Sequence, residues 1–181
     1  MGLQQPELPW VAEARSWIGT KEIAGIKHNP LIVGIWPAIG ITWFKDDETP
    51  WCAGAVTLWL KRARERVLKM GATSPLPMPA PAKPAAALSY LNYGTRISKP
   101  AYGCLAVKER KGGGHVTIVV GIYLDGRLAC LGANQDDQVK ISAYNVSDFK
   151  AFRWPTALEP AAHRYILPLV DATGSAVRSE G

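Results

Sequence analysis

Cys52, His115 and Asn134 are the residues whose types and order suit acyl transfer. Cys52 is delivered by Asp46-Asp47-Glu48-Thr49-Pro50-Trp51, an acidic loop broken by proline, and is followed by the apolar-periodic run Ala53 to Leu60. A cysteine at the first position of a helix faces unpaired backbone N–H groups and the positive end of the helix dipole. Both favour the thiolate, so Cys52 is expected to be a reactive nucleophile at neutral pH. His115 follows Gly112-Gly113-Gly114, which suggests close substrate approach, and Asn134 follows a strand in Leu131-Gly132-Ala133-Asn134-Gln135. A thiol mechanism needs an imidazole to share the proton and a polar group to hold the imidazole's tautomer and angle. Gln135 is the alternative orienter, because neighbouring residues on a strand point to opposite faces.

The elements that must position these residues fall into helices first and strands second, an α+β arrangement. Pro9-Trp10 opens a short helix with Trp10, Ala14, Trp17 and Ile18 at helical spacing, ended by Gly19. His28-Asn29-Pro30 is a turn, and the apolar stretch from Pro30 to Trp43 is expected to form a short helix on the first one. In the helix that Cys52 begins, Val56, Trp59, Leu60, Ala63 and Val67 form one stripe, and Lys61, Arg62, Arg64, Arg66 and Lys69 the solvated side. Gly71 suits its C-terminal cap. The alternating prolines of Ser74 to Pro84 predict a rigid surface loop, and Pro84 a helix over Ala85 to Tyr93.

From Tyr102 the apolar period becomes two. Strands are expected at Tyr102 to Val107, His115 to Tyr123, Leu128 to Gly132, Val139 to Ala143 and Phe152 to Trp154. Lys108 to Gly114 reads as a basic, glycine-rich turn, and Asp125-Gly126 as a tight hairpin turn. The run from His115 is apolar on both faces and should be central. Residues 1–155 then form one domain and 156–181 a C-terminal extension, partly flexible and ending in a polar tail.

Composition narrows the function classes. The 181 residues carry a net charge of +6, which favours anionic partners or simply solubility. No finger spacing, aromatic-basic strand or arginine-rich arm points to nucleic acid. Cys52, Cys104 and Cys130 are odd in number and widely spaced, so neither a disulfide framework nor a zinc module is expected. Cys104 and Cys130 lie among apolar strand neighbours and read as core residues. His28 and His163 are assigned to structure or surface, Asp46-Asp47-Glu48 to a solvated loop that lacks the alternation of a calcium site, and Trp36, Trp43 and Trp51 to core packing. No cofactor and no metal are called for. The start shows no secretory signal, and no apolar run reaches the length of a membrane span, so a soluble monomer made in the cytoplasm is expected.

Several short motifs, in order, resemble the CHAP/NlpC-type superfamily of bacterial and phage cysteine peptidases, and more narrowly its small lysin-like branch. They are Pro50-Trp51-Cys52-Ala53, Tyr93-Gly94, Gly114-His115-Val116, Gly132-Ala133-Asn134-Gln135 and Arg153-Trp154-Pro155, preceded by Pro9-Trp10, Gly19-Thr20-Lys21-Glu22-Ile23 and Asn29-Pro30. The resemblance covers about Pro9 to Pro155. It departs at Gly103-Cys104, where the family commonly has Gly-Asp, and at Ala133, where it has a second glycine.

The resemblance implies a papain-like fold, with N-terminal helices packed on a central antiparallel sheet, and hydrolysis of amide bonds in peptidoglycan. The bond would be that of an N-acetylmuramoyl-L-alanine amidase or of a stem-peptide or cross-bridge endopeptidase. Cys52 would attack the carbonyl, His115 would carry the proton to the leaving amine, and Asn134 would orient His115. The oxyanion would lie near the Cys52 backbone N–H. Such an enzyme would be a phage endolysin released by a holin, or an antibacterial effector toxin with a secretion machine and an immunity partner. Either would act on the cell wall. Two other classes stand beside it: a non-catalytic envelope-binding module, and a papain-like transglutaminase or deamidase acting on protein.

Overall fold

The computed structural model describes residues 7–71, 75–175 and 177. Four α-helices come first: α1 (Pro9–Arg15), α2 (Pro30–Val33), α3 (Ile35–Ala38) and α4 (Cys52–Met70). Six strands follow: β1 (Thr95–Ile97), β2 (Leu105–Arg110), β3 (Gly113–Ile122), β4 (Leu128–Gly132), β5 (Lys140–Tyr144) and β6 (Ala151–Trp154). They form one antiparallel sheet in the order β1-β6-β2-β3-β4-β5. The α+β reading holds, and β3 is central.

The helix α4 runs for 19 residues because its interior carries no proline and many strong helix formers. Gly71 ends it at φ 58°, its N–H donating to the carbonyls of Leu68 and Val67. The expected stripe is buried, but every residue from Cys52 to Leu60 is buried as well. Amphipathic spacing describes only the second half; the first half is enclosed on all sides, between α1, α3 and β3. Gly54 makes this possible. A Cβ there would lie 2.8 Å from the Trp36 ring and 3.1 Å from Ile35, so α3 seats on α4 only across a glycine.

Aromatic side chains fill the space between layers. Trp10 meets Trp154 edge to face at 5.4 Å, and its Nε1 donates to the Gly103 carbonyl at 2.8 Å, fixing α1 to the sheet. Trp36 and Trp51 are buried as expected, whereas Trp43 is exposed. Cys104 and Cys130 are buried core residues.

The apolar stretch after Pro30 forms α2 and α3 rather than one helix, and Asn29 caps α2 by accepting from the Leu31 N–H. The helix expected at 85–93 is a 3₁₀ segment, Ala87–Asn92, packed on β2 and β3. From it the Tyr90 hydroxyl meets Thr57 Oγ1 at 2.6 Å. The basic turn shrinks to Lys111-Gly112, because the ladder continues to Arg110 opposite Gly113 and Gly112 takes φ 85°. The short edge strand β1 was not expected from the sequence.

Of the proline loop, Ser74 lies outside the described residues; the rest is tied down by Met78 N–H to the Pro155 carbonyl and Tyr93 Oη to the Met78 carbonyl. The extension after residue 155 is bound to the sheet as far as Val170. Leu169 bridges to Ile122, and Val170 is buried over Gly121. Most of the expected polar tail lies outside the described residues.

Candidate active site

Cys52 occupies the first turn of α4, and no side chain among the described residues caps that helix end. The first-turn N–H groups are therefore left to the thiol and to whatever binds beside it. The backbone N–H of Val116, the residue after His115, also acts on the sulfur, as do those of Ala53 and Cys52 itself. This places the thiol against the start of β3. Burial nevertheless dominates: it pushes the Cys52 thiol up, against the Val116 N–H, the Arg110 charge and the helix-start donors that pull it down. The expectation of a resting thiolate is thus reversed, since desolvation outweighs the helix terminus when the group is 2% exposed.

His115 opens the buried part of β3. Its Nε2 lies 3.1 Å from Gln135 Oε1. The amide of Gln135 is fixed in orientation, because its Nε2 donates to the carbonyls of Lys140 at 2.6 Å and Cys130 at 3.2 Å. Its Oε1 also accepts from the Tyr144 hydroxyl at 3.1 Å. Gln135 Oε1 can only accept, so His115 Nε2 carries the hydrogen and Nδ1 presents a bare lone pair. Nδ1 is buried and has no hydrogen-bond partner among the described residues. Burial drives the imidazole down to about 4, assisted by the Arg110 and Lys108 charges and opposed by the Gln135 hydrogen bond. Thiol and imidazole are thus both neutral near pH 7, and no hydrogen bond joins them among the described residues.

Gln135, not Asn134, is the partner of His115. Asn134 takes the left-handed conformation at φ 52°, and no hydrogen bond joins it to His115 among the described residues. An asparagine is well suited to that backbone, and the turn it makes folds Gln135 back beneath the end of β4. Gly132 leaves the space: a Cβ there would fall 2.6 Å from Thr117 Oγ1 and 2.7 Å from Gln135 Oε1. The glycines before His115 also have structural uses. A Cβ at Gly114 would lie 2.6 Å from Leu88, so this glycine admits the 3₁₀ segment rather than a ligand.

Two clefts share Arg110 in their linings. One of about 620 Å³ is lined by Pro50, Cys52, residues 85–88 and the hairpin tip from Arg110 to Gly114. The other, about 340 Å³, is lined by Lys108, His115, Asn134, Gln135, Asp136, the end of β5 and, again, Arg110. Cys52 lines the first cleft and His115 the second, with Arg110 common to both. Sequence reasoning passed over Arg110 and Tyr144. The only signal was the basic run Lys108 to Lys111, and β5 ending in an aromatic residue.

A strip formed by residues 19–23 joins the two halves of the site. On one side the Gly19 N–H donates to the Val139 carbonyl, the Val139 N–H to Thr20, and the Glu22 N–H to Asp137, next to the Gln135 turn. On the other, Trp51 Nε1 donates to Glu22 Oε1 at 2.7 Å and the Ile23 N–H to Asp47 Oδ2 at 2.9 Å. Asp47 is not solvated as expected. It is fully buried, accepts also from the Asn29 N–H at 2.8 Å, and meets His28 Nδ1 at 2.8 Å, giving His28 a structural partner. These donors hold its carboxyl below the usual range against the cost of burial.

No group of three or more His, Cys, Asp or Glu side chains able to hold a metal ion occurs among the described residues. Among the same residues, no helix is long and apolar enough to cross a membrane. The chain matches no family model, no curated protein and no solved structure.

Proposed function

We propose that this chain is a papain-like, cysteine-dependent hydrolase that cleaves an amide bond of peptidoglycan, as a phage endolysin or an antibacterial effector toxin. The observation that carries the chemistry is the neutral His115 with its Nε2–H held by Gln135 and its Nδ1 lone pair unused, at the strand start against which the Cys52 thiol packs. The substrate class rests on the sequence motifs, and a cleft edged by cations suits the acidic peptides of a bacterial wall. In this reading His115 takes the thiol proton as Cys52 attacks the carbonyl, then returns it to the leaving amine. Water releases the acyl group with His115 as base. The first-turn N–H groups of α4 receive the oxyanion.

The protein would act on the wall after release or export, through a holin or a secretion route. The test is lysis of outer-membrane-permeabilised cells, with mass spectrometry of the digested muropeptides. Wild type should clear the suspension and yield one new amide-cleaved product, and Cys52→Ala should do neither while keeping its fold by circular dichroism. Equal lysis by both proteins removes the thiol mechanism. A wall left uncut by wild type removes the substrate.

A further inference from the structure

The charged side chains that line the Cys52 cleft are Arg110 and Lys111, at the tip of the β2–β3 hairpin. Neither forms an ion pair among the described residues, although Glu109 beside them pairs with Lys150 at 3.6 Å. Arg110 also lines the cleft into which His115 opens, where Asp136 is already paired with Lys140 and the Lys108 ammonium sits 4.9 Å over the Tyr144 ring. The Arg110 charge acts on both reacting groups, favouring the Cys52 thiolate and opposing the His115 imidazolium. With five donors, no acidic partner among the described residues and a place in the lining of both clefts, the Arg110 guanidinium presents a fork shaped for a carboxylate.

We propose that Arg110, with Lys111 beside it, forms an anion subsite that binds a free carboxylate on the substrate residue flanking the scissile amide. This makes Arg110 a specificity-determining residue. The inference rests on the peptidoglycan reading, whose stem peptides carry such carboxylates free or as carboxamides. Binding there orients the acyl group across the Cys52–His115 junction. It also neutralises the one charge common to both clefts, so the preference is for acid over amide at that position.

The experiment compares kcat/KM of the full chain on two soluble muropeptides that differ only in having this carboxylate free or amidated. Wild type should prefer the acid by about tenfold, the worth of one charge-assisted hydrogen bond at a half-open site. Arg110→Gln should bring the acid-to-amide ratio close to one, Arg110→Lys should retain part of it, and Lys111→Gln should lower it less. Both substrates use the same thiol, so the ratio cancels any effect of Arg110 on Cys52 itself. An undiminished ratio in Arg110→Gln, or a wild type indifferent to amidation, overturns the subsite while leaving the hydrolase standing. A wild type that cuts neither muropeptide overturns the function on which the subsite depends.

Discussion

At the scale of single residues, the candidate site depends on which of two adjacent carboxamides holds the imidazole. Gln135 Oε1 meets His115, whereas Asn134 forms the left-handed turn before it. On the proposed mechanism, Gln135→Ala should therefore lower kcat by up to about a hundredfold, the low end of what a positioned base contributes, because His115 loses its orientation. Asn134→Gly should keep near wild-type kcat, since glycine adopts the same backbone freely. Asn134→Ala should cost about 1 kcal/mol of stability in urea unfolding, with less effect on kcat than Gln135→Ala. A collapse of kcat in Asn134→Gly would restore the asparagine as orienter.

The imidazole also sets a pH dependence. Unfolded, His115 takes up a proton near 6.5; folded, burial delays this to about 4. Between these values the unfolded chain holds more protons, so acid favours unfolding. Stability from this residue is intact above about pH 6.5, declines as the pH falls, and is lower by about 3 kcal/mol once both forms are protonated. Urea midpoints from pH 7 to 4 should show that decline, and His115→Gln should flatten it. The acid limb of kcat/KM should likewise lie near pH 4 rather than 6.5, because the base must be neutral to work.

Among elements, α4 and β3 carry the site and were the most legible from sequence. Helical spacing after Cys52 and an unbroken apolar run after His115 leave little choice of secondary structure. The thiol's ionisation was not legible, because it depends on how deeply both halves of the cleft bury the sulfur, and burial is a tertiary property. Gln135 was legible only as an alternative, since strand alternation does not reveal the left-handed turn at Asn134. The 3₁₀ segment and the edge strand β1 are short elements fixed by their neighbours, Thr57 and β6, rather than by their own pattern. At this scale Gly54 is the critical contact. Gly54→Ala should strain the α3–α4 seat by about 1–3 kcal/mol, visible as a lower melting temperature.

On the scale of the whole molecule, the segment after Pro155 belongs to the same folded body as the sheet. The Val170 N–H donates to the Ile122 carbonyl, the Ile122 N–H to Pro168, and the Val170 side chain packs over Gly121. Composition hid this, because a proline-punctuated stretch looks independent of a sheet that it in fact lengthens. Val170→Ala should lose about 2 kcal/mol and lower the melting temperature by several degrees, with no change in substrate preference. An unchanged melting temperature would make residues 156–175 an appendage.

The strip of residues 19–23 carries a further consequence. Its backbone is sewn to the loop that holds Gln135, while Glu22 and Asp47 fasten it to the approach of Cys52. Cys52 and His115 are therefore registered against each other by a third piece of chain. Helix and sheet cannot slide past one another without unpicking that seam. On the proposed mechanism, the two groups are set in place as the chain folds rather than by a closing step. A change within the first two dozen residues, such as Glu22→Ala, is then expected to lower the proposed activity from outside both clefts.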